Sequence, residues 1–234
     1  MRYANVLLAG VCLAAALAQA QAQSPPAPQP GTAAANAPAA GTSATEGPTE
    51  VVQAAAQGML GDLDRDRQTY QRDPAKVGQL VDKYLLPHFD VEYSARGVLG
   101  KYWATATPDQ RQRFIDAFYH SLLTNYGTAL ANFTSDKLKI FPSNVAPDAT
   151  RATVRTEVKE SNGDRAQVNY YMHKTPQGWK AWDVVINGIS YVNSYRTDFG
   201  EQIEQQGIDA VIKRLQSGEK PEAIGKQSAS GKSG

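Results

Sequence analysis

Residues that could carry acid–base or nucleophilic chemistry are few in this sequence, and they lack the partners that such chemistry needs. His88 lies beside a proline at a predicted helix end, His120 on the polar side of a helix, and His173 on the polar face of a strand. A catalytic or metal-binding histidine needs other donors brought to it in space. Ser121 and Ser194 have no nucleophile elbow around them. We therefore predict no catalytic residue, no metal site and no cofactor.

Three carboxylates at positions i, i+2 and i+4, Asp62, Asp64 and Asp66, resemble half of a calcium-binding loop. The glycine and the terminal glutamate of that loop are missing at the required spacing. The three side chains spread around a predicted amphipathic helix, where Arg65 and Arg67 neutralise them. A solvated helix surface explains this pattern.

The span 179–199 is the most informative stretch of the chain. Its alternation predicts a strand with Trp182, Val184 and Ile186 on one apolar face. Asn187-Gly188 favours a tight turn, because both residues tolerate positive φ. A Tyr-Arg pair follows, and a helix is expected to start after it.

Asp183 and Arg196 are the two charged residues of this span that could act at a site. Asp183 is predicted on the face opposite Trp182, and Arg196 begins the segment after the last strand. We favour a structural ion pair or a helix cap that ties the strand to the helix. The alternative is that Arg196 contacts an anionic headgroup, since a guanidinium matches phosphate oxygens.

Residues 1–22 are typical of a cleaved export signal. Arg2 gives a positive start, an apolar run follows over 6–17, and small residues then offer cleavage sites. The run is too short to span a bilayer, which needs about 20 apolar residues. The only cysteine, Cys12, lies inside the signal, and Val11 before it argues against a lipoprotein.

The mature chain is expected to be neutral and free of cysteine. Removing Arg2 with the signal takes the formal net charge from +1 to 0. A neutral chain is a poor candidate for binding nucleic acid, which depends on clustered positive charge. Without disulfides, the stability must come from a packed core.

Composition divides the remaining chain into three parts. Residues 23–48 are rich in alanine, proline, glycine and small polar residues, and we expect them to form a disordered tether. Residues 217–234 have a similar composition and are interpreted as a disordered tail. Residues 49–216 have a size common for one folded domain.

The first half of this domain has helical periodicity. Helices are predicted over about 51–63, 74–87 and 90–99, and the longest begins at Thr107-Pro108. On the longest helix, apolar residues recur at i+4: Phe114, Phe118, Leu122, Tyr126 and Leu130.

The second half alternates with period two and ends in a helical pattern. Strands are predicted around 138–140, 151–159 and 165–172 and from Trp179, with Ser161-Asn162-Gly163-Asp164 as a hairpin turn. The order predicts an α+β fold, in which N-terminal helices pack on one face of a twisted antiparallel sheet and a C-terminal helix closes the domain.

Aromatic side chains are frequent on the faces predicted to point inward. Periodicity cannot distinguish a filled interior from an apolar cleft between the sheet and the helices, so both remain open. If the cleft exists, we predict that eight residues line it: Phe114, Phe118, Leu122, Tyr126, Val154, Tyr170, Trp182 and Val184.

Two ordered sets of residues form a recognisable pattern. The front set is Pro87-His88-Phe89-Asp90, Val98-Leu99-Gly100, Trp103, Gln110, Arg113-Phe114 and Phe118 through Tyr126. The back set is Trp179, Asp183-Val184, Gly188-Ile189-Ser190, Tyr195-Arg196 and Phe199. With these sets the chain resembles the MlaC family, also described as toluene-tolerance proteins or auxiliary components of an ABC transporter. Trp182 stands where family members often have tyrosine. The resemblance covers roughly residues 50–216.

The resemblance implies a periplasmic phospholipid carrier that is not an enzyme. Such proteins shuttle lipids between an outer-membrane lipoprotein–porin complex and an inner-membrane ABC transporter with an MCE-domain subunit, which maintains outer-membrane lipid asymmetry. The acyl chains insert between sheet and helices while the headgroup stays near solvent. Two alternatives remain from the residues alone: a docking or structural module with a filled core, or a lipid hydrolase, which the absent nucleophile motif disfavours.

Overall fold

The computed structural model describes residues 46–160 and 162–219. The predicted signal, the predicted tether as far as residue 45, Ser161 of the predicted turn and the predicted tail from residue 220 lie outside the described residues.

Among the described residues, six α-helices precede the sheet, where the helical periodicity predicted four helical segments. They are α1 (Pro48–Arg65), α2 (Arg67–Arg72), α3 (Val77–Leu80), α4 (Val91–Leu99), α5 (Tyr102–Thr105) and α6 (Pro108–Ala131). Helix α6 begins with a capping box: Thr107 accepts a hydrogen bond from the Gln110 amide, while the Gln110 side chain accepts one from the Thr107 amide. This local signal fixes the start of the longest helix.

The segment predicted as one helix over 74–87 changes its winding several times. Pro74–Lys76 is a 3₁₀ turn, α3 follows, Val81–Leu85 is π-helical, and Leu86–His88 is again 3₁₀. The apolar spacing predicted a helical segment correctly but could not reveal the π turn, because the same residues are compatible with either winding.

The sheet is a simple antiparallel meander. Its strands are β1 (Leu138–Ile140), β2 (Arg151–Lys159), β3 (Arg165–Thr175), β4 (Gly178–Ile186) and β5 (Ile189–Ser190), in that spatial order. Val154, Tyr170 and Val184 lie side by side across β2, β3 and β4. Their face is called the inner face, and the opposite one the outer face.

The prediction that Trp182 shares the inner face with Val184 is wrong. Tyr171 pairs with Asp183 and Met172 pairs with Ala181, so Trp182 is the extra residue of a β-bulge. Its ring lies 5.5 Å from the Tyr93 ring and 6.2 Å from the ring of Tyr171, which is exposed on the outer face. The bulge turns this side chain away from Tyr170.

The turn after β4 forms as predicted, with Asn187 at φ 48° and Gly188 at φ 83°. As far as residue 219, two C-terminal helices follow instead of one: α7 (Tyr191–Gln206) and α8 (Ile208–Gln216). Gly207 separates them at φ 80°, a conformation that favours glycine. Since α7 begins at Tyr191, Arg196 lies inside this helix and does not precede it as expected.

Most of the buried apolar side chains among the described residues form two clusters. The sheet cluster joins α1, α3 and the end of α6 to the inner face, with Met59, Leu63, Val77, Val154 and Val168 among its members. The helix cluster joins α4, α6, α7 and α8, with Leu99, Phe114, Tyr195, Phe199 and Ile212 among its members. The fold is therefore α+β, with helices covering one sheet face and a second, helical core beside it.

Candidate functional site

Helix α6 is the wall that both clusters share. Phe118 and Leu122 pack against the helix cluster, whereas Tyr119 and Leu123 pack against the sheet cluster. Consecutive helical residues point about 100° apart, so two i+4 stripes on one helix serve two cores. The apolar surface predicted for α6 is present, and its side chains are divided between the helix cluster and the sheet cluster.

Strand β4 is the second place where the clusters approach each other. Val184 is half-buried against the sheet cluster, and Trp182 is half-buried against the helix cluster. Tyr191, directly after β5, packs against both. We call this boundary the seam, formed by Leu122, Leu123, Tyr126, Val184, Tyr191 and Tyr195.

The eight predicted lining residues are divided between the two clusters. Phe114, Phe118, Leu122 and Trp182 belong to or contact the helix cluster, Val154, Tyr170 and Val184 the sheet cluster, and Tyr126 is buried beside Tyr195. Phe114 and Val154 are fully enclosed, whereas Leu122 and Val184 are half-buried at the seam. The structure therefore divides the predicted set between the two clusters, and the lining assignment itself remains a prediction.

Tyr191 and Tyr195 are seam residues that the predicted lining omits. The Tyr195 hydroxyl interacts with that of Tyr126, and the Tyr191 and Tyr195 rings meet edge to face at 6.1 Å. Burial raises the pKa of all three tyrosines, so each keeps its proton near neutral pH. The i, i+4 spacing of Tyr191, Tyr195 and Phe199 was the signal that could have found them.

Asp183 caps α7, which confirms the helix-cap interpretation. Its carboxylate accepts hydrogen bonds from the Val192 amide at 3.0 Å and from the Ser190 hydroxyl at 2.6 Å. Burial raises the pKa of Asp183, and these bonds oppose that effect. The carboxylate therefore holds the helix that carries Tyr191 against β4.

Arg196 is exposed and ties α7 to α4. Its Nε donates to the carbonyl of Gly97, and its stem lies so close to Gly100 that a Cβ there would stand 3.3 Å from the Arg196 Cδ. Among the described residues, Arg196 forms no ion pair with Asp183. A headgroup contact by Arg196 stays a prediction.

The three histidines occupy separate places. His173 Nε2 lies 2.9 Å from the Asp90 carboxylate, the residue that caps α4, and its ring contacts Tyr93. His88 is half-buried, and burial lowers its pKa. His120 is exposed on α6. Within residues 46–160 and 162–219, no group of three or more histidine, cysteine, aspartate or glutamate side chains could hold a metal ion.

A groove on the outer face is distinct from the seam. It encloses about 570 Å³ between the loop 142–145 and side chains that include Arg151, Arg155, Tyr171 and Trp182. Of the eight predicted lining residues, Trp182 alone borders it. None of the described helices is both long and apolar enough to cross a membrane.

Comparison with known proteins gives three informative relatives. A solved structure of a phospholipid-binding protein from Ralstonia solanacearum, in complex with a phospholipid, superposes with a TM-score of 0.65 and 30% sequence identity, covering 72% of this chain and 94% of that one. The toluene tolerance protein ttg2D of Pseudomonas putida is 31% identical over 169 residues, which are 72% of this chain and 78% of the relative. The intermembrane phospholipid transport system binding protein MlaC of Haemophilus influenzae is 26% identical over 172 residues, 72% of this chain and 80% of the relative.

The fold and the divided interior define a class of protein: an α+β domain whose helices cover one face of an antiparallel sheet and leave an apolar boundary beside it. The family described as MlaC protein matches residues 53–217, well over half of the 234 residues. The chain belongs to the MlaC family, as the motif residues predict.

Proposed function

We propose that this protein is a phospholipid carrier that holds acyl chains in the seam and releases them unchanged. The observation that carries the proposal is the division of the interior into two apolar clusters, in a fold similar to that of a protein with phospholipid bound. Chains that separate the clusters need not disrupt the packing within either. Each buried methylene contributes about 0.8 kcal/mol, so two chains supply ample driving force.

In this proposal the acyl chains contact the eight predicted lining residues, and chiefly those that are half-buried. Leu122 and Val184 face the seam from α6 and β4, and Phe118 extends it on the helix side. Trp182 is retained because its ring packs on the helix cluster, although the bulge turns it from the inner face. Arg196 would approach the headgroup from the exposed side of α7.

The site of action in this proposal is the periplasm, reached with the predicted signal at residues 1–22. The partners are an outer-membrane lipoprotein–porin complex and an inner-membrane ABC transporter with an MCE-domain subunit. Because tight apolar binding makes spontaneous release slow, release depends on a partner that opens the seam or offers the lipid a better site.

Denaturing extraction of the purified protein followed by lipid mass spectrometry tests the proposal. Stoichiometric phospholipid supports a carrier, and an empty, stable protein supports a docking module with a filled core. Val184→Asp places a charge at the seam and is expected to abolish the co-purifying lipid. Gln167→Asp, on the exposed outer face, is the control that should keep it. A folded Val184→Asp variant that retains its lipid would contradict the lining assignment.

Incubation with labelled phospholipid separates the carrier from a hydrolase. A carrier returns the lipid intact after denaturation, whereas a hydrolase releases labelled fatty acid. Fatty acid formed in proportion to the amount of protein would overturn the carrier proposal.

A further inference from the structure

A row of aromatic side chains lies on the outer face of the sheet, beside the groove. The rings of Tyr93, Trp182 and Tyr171 follow one another, with centroids 5.5 Å and 6.2 Å apart. Tyr93 is 37% exposed and Tyr171 is 36% exposed, and they are the two exposed large hydrophobic side chains among the residues that the structure describes. The β-bulge places Trp182 between them, since regular alternation would have turned it to the inner face.

The strands supply positive charge around these rings. The five described strands contain seven lysine and arginine residues and two carboxylates, Glu157 and Asp183. Both carboxylates are engaged, because Glu157 pairs with Arg165 at 3.1 Å and Asp183 caps α7. Arg151 and Arg155 border the groove, and neither forms an ion pair in the part of the chain that the structure describes. These two guanidinium groups are therefore available to an anionic partner.

The register of β2 and β3 places an aromatic residue midway between the two arginines. Arg151, Thr153 and Arg155 project from the same face of β2, and Thr153 pairs with Tyr171 on β3. The two arginines are four residues apart, which is about 13 Å along an extended strand. The order along this face is therefore positive, aromatic, positive.

A loop over residues 142–145 forms the other wall of the groove and is tied to the fold. The Ser143 amide donates to the Thr49 hydroxyl at 2.9 Å, and the hydroxyls of the two residues are 2.6 Å apart. The loop makes the surface concave, with about 570 Å³ enclosed. A concave groove admits a single extended segment, whereas a bilayer needs a flat or convex surface. Tryptophan, tyrosine and arginine are also the residues enriched at the centres of protein–protein interfaces.

We propose that the groove binds an extended acidic segment of another protein, in which two carboxylates four residues apart flank an aromatic residue. Residues i, i+2 and i+4 of an extended segment point to the same side, so the carboxylates reach Arg151 and Arg155 while the central ring meets Tyr171. A guanidinium binds a carboxylate through two parallel hydrogen bonds, and aromatic rings attract each other in offset or edge-to-face contacts. The inference concerns the outer face and does not depend on lipid binding at the seam.

Three fluorescein-labelled peptides of equal length test the inference by anisotropy titration with the purified protein. The probe is acetyl-Gly-Asp-Thr-Phe-Thr-Asp-Gly, with its carboxylates four residues apart. The second peptide, acetyl-Gly-Thr-Asp-Asp-Phe-Thr-Gly, has the same composition with adjacent carboxylates, and the third is the probe with asparagine for both aspartates. We expect the probe to bind about fivefold more tightly than the second peptide, which can pair with one arginine at a time, and about twentyfold more tightly than the third.

Single substitutions locate the binding surface. Arg151→Ser and Arg155→Ser are each expected to weaken binding of the probe about fivefold, and Tyr171→Ala by a similar factor. Lys159→Ser is the matched control, because it removes a positive charge from the same face of β2, and Lys159 does not border the groove. This control should keep the wild-type affinity.

The outcomes distinguish this inference from other occupants of the groove and from the carrier function. Equal affinity for the three peptides, or unchanged binding of the probe in both arginine variants, overturns the proposal. Sedimentation with phosphatidylglycerol vesicles tests a lipid surface: vesicle binding that both arginine variants lose, without a preference among the peptides, also overturns it. A protein that contains no lipid but binds the probe with the expected preference supports the inference and contradicts the carrier function alone.

Discussion

The sheet cluster and the helix cluster are both well buried, but they differ in the residue types and in the elements that form them. The sheet cluster is mostly aliphatic and joins residues far apart in the chain, such as Leu63 on α1 and Val154 on β2, both fully buried. The helix cluster is centred on aromatic rings, with Phe114 and Phe199 meeting edge to face at 5.8 Å. The first depends on strand register, and the second on the directions of four helix axes.

This difference indicates where a ligand could enter without unfolding the domain. Each cluster is packed within itself, whereas the boundary between them consists largely of half-buried residues such as Leu122, Leu123 and Val184. Under the proposed function, a lipid that enters at the seam would replace contacts between the clusters and leave their centres intact. Variants that alter one cluster, the other cluster or the boundary alone test this difference.

The largest effect is expected from Phe114→Ala at the centre of the helix cluster. The side chain is fully buried and contacts Phe118 and Phe199, so its removal leaves a cavity between rings. We expect a loss of about 3–5 kcal/mol in the free energy of unfolding, measured by urea denaturation. A loss below about 1 kcal/mol would mean that the helix cluster is not a tightly packed core.

Leu63→Ala compared with Leu122→Ala tests the distinction between centre and boundary. Leu63 is fully buried in the sheet cluster, so we expect a loss of about 2–5 kcal/mol with the bound lipid per protein unchanged. Leu122 is half-buried at the seam, and its truncation should cost less stability but lower the lipid load. Lipid extraction and urea denaturation of both variants measure the two effects. The reverse pattern would contradict the placement of the ligand at the seam.

Two glycines allow a matched comparison of how the clusters tolerate an added methyl group. A Cβ at Gly58 on α1 would stand 2.4 Å from the Tyr84 ring, and one at Gly97 on α4 would stand 2.8 Å from Val192 Cγ1. Gly58→Ala is expected to cost about 1–3 kcal/mol, because an aromatic ring must move. Gly97→Ala should cost less, because a single methyl group can shift. Thermal unfolding of the two variants ranks them, and an equal or inverted order would refute the steric explanation.

The smallest expected effect is on the stability of the folded state at acid pH, and it involves Asp62 on α1, beside the sheet cluster. Hydrogen bonds from Tyr84 and Lys83 lower the pKa of Asp62 to about 2 from 3.8. A depressed carboxyl pKa stabilises the folded state above about pH 4, and this stabilisation is lost as the pH falls from 3.8 towards 2. Since the network is partly exposed, we expect it to contribute less than about 1 kcal/mol.

Unfolding of Asp62→Asn and the wild type between pH 2 and 5 measures this contribution. The variant should lose less stability than the wild type on acidification. Asp209, which joins α8 to Gln110 and Arg113 of α6, is the exposed counterpart on the helix side, where the pKa is also lowered. An unchanged pH profile in Asp62→Asn would show that the Tyr84 network does not link α1 to the π turn energetically.

Local patterns predicted most of the helices and strands. The start signal Thr107-Pro108 and the i+4 stripe of Phe114, Phe118 and Leu122 predicted α6 and its apolar surface. Alternation placed Val154 and Tyr170 on one sheet face, and the register confirms it. These features depend on residues that are close in sequence, so local patterns are enough to predict them.

Other features depended on partners that are distant in sequence. Trp182 continued the alternation of β4, but a bulge against Tyr171 and Met172 displaced it. A bulge is a mismatch between two strands, so no pattern within one strand reports it. The predicted lining omitted Tyr191 and Tyr195 for a related reason: their i, i+4 spacing indicates one face of α7, but it does not report that Tyr195 meets Phe118 of α6.

By itself, the sequence determined the α+β order of helices and strands, the start of α6, the turn at Asn187-Gly188 and membership of the MlaC family. The tertiary structure alone decided that the apolar residues form two clusters, that α6 serves both, and that Tyr191 packs against both. Periodicity and capping arise from hydrogen bonds and side-chain directions within a few residues. The division of a core depends on how helices and strands far apart in the chain pack, and local spacing does not encode that.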